Sequence, residues 1–159
     1  MQYTEPTNAP APIAAAVVLG FGVGAMLHGV VLNQLFGWHH TVSTWYPQNS
    51  AEHIRINAVW DGVFHIAAYA VLSAGVLMLW RSAHRYDRWS LLCVSGGLLM
   101  GIGGFNLIEG IIMHDVLAAH HVNETAPLSE QFLWDVGFLG WGSAFLALGI
   151  LLIATCESK

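Results

Sequence analysis

Charge is what this chain of 159 residues lacks: only 9% are Asp, Glu, Lys or Arg, while 55% are hydrophobic. A soluble domain carries roughly 25% charged residues. A chain sheds charge when its surface must face hydrocarbon, where each ionised group costs several kcal/mol. Lys and Arg number five, and beyond the short cluster Arg81, Arg85 and Arg88 there is no basic run, so nothing points to a nucleic-acid partner. Cysteine is scarce as well. Cys93 and Cys156 sit near the same side of the expected bilayer, far from most histidines, and form no C-x-x-C or C-x-x-C-H. That argues against thiolate metal sites and c-type haem attachment. The prolines are Pro6, Pro10, Pro12, Pro47 and Pro127, all placed in the leader or in loops, as a helix interior requires. The leader up to Pro12 has no Lys or Arg, and the apolar stretch after it is too long for a signal-peptide core.

What is present is four long apolar segments, about 13–36, 56–80, 91–117 and 132–153. Roughly 20 helical residues cross the hydrocarbon core, and four such stretches leave almost no polar surface for a soluble fold. The expected fold class is therefore all-α: a four-transmembrane-helix bundle, one membrane domain over 1–159 set in a lipid bilayer. Arg81, Arg85, Arg88 and Lys159 lie on one side and only Arg55 on the other, which by the positive-inside rule puts both termini in the cytoplasm. Loops 38–55 and 118–131 then face outward from a bacterial cytoplasmic membrane. Trp38, Trp45 and Tyr46, and on the opposite side Trp80, Tyr86 and Trp89, are placed as interfacial belts.

Histidine is over-supplied: nine residues, against five Lys plus Arg. Their arrangement repeats. The stretch from Gly22 through His28-Gly29, Asn33 and His39-His40 realigns 81 positions later, from Gly103 through Glu109-Gly110, His114 and His120-His121. Trp60-Asp61 with Phe64 is echoed by Trp134-Asp135 with Phe138. A two-helix unit in tandem is expected, its copies related by a pseudo-two-fold along the membrane normal.

If helices 1 and 3 continue to the tandem histidines, 100° per residue aligns His28 with His39 and Glu109 with His120. A second stripe about 120° away would hold Asn33 with His40 and His114 with His121. Asp61 and His65 share a face of helix 2, and Asp135 opens helix 4. At 1.5 Å rise per residue, Glu109 would lie about 16 Å below His120. Ionisable groups at such depth face the bundle interior with a partner. Glycines follow several of them (Gly29, Gly62, Gly110), where a missing side chain lets a neighbouring helix approach.

The site residues expected from this pattern are His28, His39, His40, Asp61, His65, Glu109, His114, His120, His121 and Asp135, with Asp61 and Glu109 as candidate catalytic or proton-carrying groups. Imidazoles without thiolates suit copper, then zinc, then iron, with carboxylates as ligands or as groups that orient them. The Glu-x-x-His pattern of di-iron bundles is absent.

These residues resemble a bacterial family of small multipass membrane proteins, the domain of unknown function 2243. The matching stretches are Trp38-His39-His40, Asp61-Gly-Val-Phe-His65, Phe105-Asn-Leu-Ile-Glu109-Gly110, His114, His120-His121-Val122 and Trp134-Asp135-Val-Gly-Phe138. The resemblance runs from about Gly20 to Gly142 and implies a four-helix membrane fold without an established activity. Two positions depart from the family pattern, which has Asp in place of His28 and His in place of Asn33. Asn33 would leave the first repeat one ligand short, which His28 could supply from deeper.

Plainer readings exist for individual residues. An intramembrane His28 could be a hydrogen-bonded packing residue, His53 and His84 solvated, and the tandem histidines headgroup-level groups. Asp135 could cap helix 4. The glycines at 20, 22, 24, 97, 101 and 103 read as close helix packing, since no strand precedes them to make a phosphate loop. For the whole set, the leading expectation is a copper-dependent membrane oxidoreductase. The rivals are metal or proton transport, haem b held by facing histidines such as His65 and His114, and an accessory subunit of a larger membrane complex such as a respiratory one.

Overall fold

A computed structural model describes residues 11–85 and 90–157, so Pro6, Pro10, Tyr86, Arg88, Trp89 and Lys159 lie outside the described residues. All regular structure in the described residues is helical. Helix α1 (Ala11–Leu27) continues as a π-helical segment, His28–Leu35, and α3 (Leu91–Glu109) continues as another, Gly110–Val116. Helices α2 (Ala51–Arg85) and α4 (Leu128–Glu157) complete the fold. Four helical stretches are long and apolar enough to cross a membrane, with mean hydropathy between 1.8 and 2.1.

The helices stand in a row. Helix α1 packs against α2 and α3, and α3 packs against α1 and α4. Among the described residues α2 and α4 do not meet. The two inner helices therefore carry the shared interior, while the outer two turn large apolar side chains outward, among them Ile66, Tyr69, Phe132, Trp141 and Leu151. Burial is inverted relative to a soluble protein. Most buried residues at the loop end are polar, whereas the buried apolar set is small: Ala25, Ala68 and Phe105, with Phe21, Met26 and Phe64 packed around them. Such an outside is stable only against lipid.

Glycine decides how close the helices come. A Cβ at Gly101 would lie 2.1 Å from the Val17 carbonyl oxygen, and one at Gly20 would lie 2.1 Å from that of Leu98. No side chain fits at either place, so α1 and α3 touch backbone to backbone, the small-residue packing that membrane helices use. The outer contacts come in matched pairs. Gly22 faces Leu72 as Gly103 faces Leu146, and Gly75 faces Leu19 as Gly149 faces Met100. Of the glycines that follow polar residues, Gly29 and Gly110 do admit a neighbour, but Gly62 faces open space.

Cys93, near the start of α3, is disulfide-bonded to Cys156, near the end of α4, with a Cα–Cα separation of 5.6 Å. The bond ties the two helices at the end opposite the histidine-rich loops. Their pairing was not evident from sequence, because it depends on α3 and α4 being neighbours.

The Gly101 contact is directly testable. Replacing Gly101 by Leu drives the side chain into the α1 backbone and is expected to cost about 1–3 kcal/mol or to prevent folding, as overpacking does. Gly104→Leu, into open space, should leave the thermal midpoint in detergent unchanged. Equal midpoints for the two variants would refute the packing.

Candidate metal centre

The loop end is built by two segments that leave α1 and α3 in the same way. Each helix widens into π winding, closed by a bond from Phe36 N–H to Val31 O at 2.9 Å in one case and from Leu117 N–H to Ile112 O at 2.9 Å in the other. The chain then reverses at a residue with positive φ, Gly37 at 59° and Ala118 at 45°. For Ala118 this left-handed backbone costs of order 1 kcal/mol. The helices thus stop before the tandem histidines, contrary to the continuous helix expected from sequence. Instead His39-His40 and His120-His121 sit on loops that fold back over the helix ends. The depth arithmetic is overturned with it: His120 Nε2 lies 3.0 Å from Glu109 Oε1, not a helical length above it.

π winding has a second consequence. In a regular α-helix Glu109 and His114, five residues apart, point in different directions. Bonding from i to i+5 brings such residues onto one side. His114 Nε2 lies 3.3 Å from Glu109 Oε1. Of the second polar stripe expected from sequence, His114 joins the residues of the first in one pocket, while Asn33 and His40 bond Asp61 and His121 bonds Asp135. π segments of this kind recur at functional sites, and nothing in the residue pattern announces them.

The two loops brace one another. His39 Nδ1 donates to the Val122 carbonyl at 2.8 Å, and His120 Nδ1 donates to the Thr41 carbonyl at 3.0 Å. Backbone bonds Thr44 N–H to Ala119 O and Glu124 N–H to Trp38 O, both 2.9 Å, complete the exchange. The His39 and His120 rings stack in parallel, centroids 4.3 Å apart with an interplanar angle of 4°. A carbonyl only accepts, so both Nδ1 atoms carry a proton, and in the neutral ring each Nε2 offers a lone pair to the interior. Burial holds His39 neutral, its pKa well below the ordinary 6.5; the neighbouring imidazoles His120 and His28 push the same way.

Five donor atoms converge below this brace. His28 Nε2 is 3.1 Å from His39 Nε2 and 3.6 Å from Glu109 Oε1; His114 and His120 complete the set. Two groups of three have ligand atoms within 4.8 Å of one another and share His120: His28, His39, His120 and Glu109, His114, His120. All five residues are buried. With His120 neutral and its proton on Nδ1, the 3.0 Å contact of His120 Nε2 with Glu109 Oε1 sets two acceptors face to face. A carboxylate opposite an imidazole lone pair repels unless a proton or a metal cation lies between them. Glu109 Oε2 and both ring nitrogens of His114 have no hydrogen-bond partner, although His114 stands at ion-pair distance from Glu109 and from Asp135. Metal bonds of about 2.1 Å in tetrahedral array separate ligand atoms by about 3.4 Å. The observed spacings of 3.0, 3.3 and 3.6 Å bracket that value. The donor set fits a transition metal.

The other expected site residues stand around this centre and not in it. Asp61 accepts from His40 Nδ1 at 2.5 Å, from the Thr41 N–H at 2.9 Å and hydroxyl at 2.7 Å, and from Asn33 Nδ2 at 3.5 Å. Asp135 accepts from His121 Nδ1 at 2.6 Å and from the Val122 N–H at 2.8 Å. Both carboxylates therefore pin a loop to a flanking helix and orient a half-buried histidine. Asp135 lies well inside α4, which starts at Leu128, so it neither opens nor caps that helix. His65 donates Nδ1 to the Asp61 carbonyl at 2.6 Å and is half-buried. His53 bonds the Pro47 carbonyl and His84 that of Trp80, away from the centre. Thr41, missed by sequence reading, clasps Asp61 and receives His120; its place beside the tandem histidines was the available signal.

The clamp predicts a local effect. Asp61→Ala leaves the Thr41 amide and hydroxyl without their acceptor, at a cost of about 1–3 kcal/mol. Hydrogen exchange in the loop over 36–50 should accelerate while the Cys93 end is unaffected. Unchanged exchange would show that the carboxylate does not hold the loop.

No curated protein and no solved structure matches the chain significantly. Residues 15–156 match the family described as "Predicted membrane protein (DUF2243)". With that match over most of the chain and four helices long and apolar enough to cross a membrane, the chain belongs to the domain of unknown function 2243 family of membrane proteins.

Proposed function

We propose that this protein is a membrane metalloprotein whose buried His28, His39, Glu109, His114 and His120 hold a transition metal, and that the centre carries out redox chemistry. The carrying observation is the cluster of buried ligand atoms within 4.8 Å of one another, centred on His120 Nε2 and Glu109 Oε1 at 3.0 Å, a contact that a proton or a metal cation between them satisfies. Copper is the preferred ion, since imidazole ligation without sulfur favours it at the head of the affinity order, ahead of zinc and iron. One or two ions could be accommodated, because the two triads share His120. A bound copper would supply one-electron chemistry. The chain would supply the rigid imidazole pair fixed by the Val122 and Thr41 carbonyls, and Glu109 Oε2, a free carboxylate oxygen able to hold a proton.

Transport through the bundle is the second reading. Against it, the apolar layer of Phe21, Ala25, Phe64, Ala68 and Phe105 lies below the centre and offers no further ligand. Haem b suits the site less well, since imidazoles this close together leave no slot for a porphyrin between them. We further propose that the chain arose from a two-helix unit in tandem, for which the matched bonds at His39/His120, His40/His121 and Asp61/Asp135 speak.

For orientation, Arg81 and Arg85 favour a cytoplasmic location for the end carrying the disulfide, with the metal centre outside. Disulfides are uncommon on that side, so the Cys93–Cys156 bond speaks for the opposite orientation, while the basic residues, which act during insertion, speak for this one.

Protein purified without chelators should carry at least one copper per chain by elemental analysis. Glu109→Gln and His120→Ala should lower metal affinity by roughly tenfold or more. Chelator-free protein with no stoichiometric metal would end the proposal.

A further inference from the structure

Besides His28 against Glu109 and Asn33 against His114, the α1–α2 and α3–α4 halves differ at a position packed over a glycine beside the centre. A Cβ on Gly29 would meet His65 Nε2 at 2.7 Å and Phe64 Cε1 at 2.9 Å; a Cβ on Gly110 would meet Leu139 Cδ2 at 2.8 Å and Phe138 Cδ1 at 3.3 Å. Thus the same seat, over the glycine that follows a centre residue, holds an imidazole on the α2 side and a leucine on the α4 side. Glycine at 29 is what lets the imidazole lie directly against the backbone next to His28.

The α2 side also has an opening. A cleft of about 460 Å³ is lined by Gln34, His40, Gln48, Asp61 and His65 together with apolar residues of α2. It therefore runs from the outer loop surface to the residue that touches Gly29. Both of its imidazoles are oriented through Asp61, His40 by the carboxylate and His65 by the backbone carbonyl. Each uses Nδ1 for that bond, so each keeps a lone pair on Nε2, and neither Nε2 has a hydrogen-bond partner among the described residues. An imidazole whose Nδ1–H is held by a carboxylate or carbonyl is in the form that ligates metal. Two such groups, with only the amide oxygens of Gln34 and Gln48 beside them and the Asp61 carboxylate taken up by His40 and Thr41, make a site of few strong ligands, suited to passing an ion on and not to retaining it.

We propose that this cleft is a loading site, at which a transition-metal cation binds His40 and His65 on its way to the buried centre, and that the α4 side is closed to metal by Leu139. The inference rests on the metal-centre reading, and its test separates the two. His65 suits substitution because its only hydrogen bond is to its own helix, four residues back, and it is half-buried.

Metal-free protein in detergent micelles would be mixed with copper(II) chloride, and the rate of tryptophan quenching followed. Uptake by His65→Leu is expected to be slower by roughly tenfold or more, with the copper finally bound per chain unchanged. His65→Gln, which keeps a polar side chain, should slow uptake similarly and covers a misfolded leucine variant. His121→Leu, on the closed side, should load at the wild-type rate. Wild-type rates in both His65 variants would overturn the loading site and leave the centre standing. Equal slowing by His121→Leu would do the same. Loss of bound copper in the His65 variants, rather than slower uptake, would make His65 a ligand of the centre and also overturn the proposal. Wild-type protein that takes up no copper would overturn both.

Discussion

The close approach of a buried imidazole nitrogen and a buried carboxylate oxygen, which a proton or a metal cation must bridge, is the constraint around which this fold is arranged. His120 and Glu109 are both buried, 3.0 Å apart, with the His120 proton committed elsewhere, to the Thr41 carbonyl. In water such a contact would dissolve. In hydrocarbon neither group can leave, because solvation on the far side is worse. The structure around them supplies what keeps them together: π winding that swings His114 into the same pocket, and loops that reverse at Gly37 and Ala118 to press the tandem histidines onto it.

The packing below serves the same end. Backbone contact between α1 and α3 at Gly20 and Gly101 brings His28 and Glu109 within 3.6 Å of each other although they belong to different helices. Asp61 and Asp135 then tie each loop to its flanking helix. Their carboxylates spend their hydrogen-bonding capacity on the backbone and on His40 and His121, which explains why residues of identical chemistry play different parts. Glu109 has an oxygen to spare; the two aspartates are occupied.

Much of this was legible in the sequence. Four spans followed from charge scarcity and apolar length, and the spacing of His28, His39, Glu109 and His120 correctly paired the residues that meet. It did so for a partly wrong reason, since the alignment assumed continuous helices where the chain in fact turns back. What was hidden depends on backbone form and on neighbours distant in sequence. The π segments leave no residue signature, the brace between His39 and Val122 spans loops 83 residues apart, and the disulfide requires knowing that α3 lies beside α4. The sequence also grouped all ten polar residues together, where the structure separates five that converge from five that stand around them. The difference between His65 and Leu139 became meaningful only once both were seen over their glycines.

X-ray absorption at the edge of the bound metal in the intact, detergent-purified protein tests the central claim most directly. The account predicts a first shell of nitrogen and oxygen at about 2.0–2.2 Å, imidazole scattering from several rings, and no sulfur. A shell of water oxygens alone, or one containing sulfur, would place the metal away from His28, His39, Glu109, His114 and His120 and contradict it.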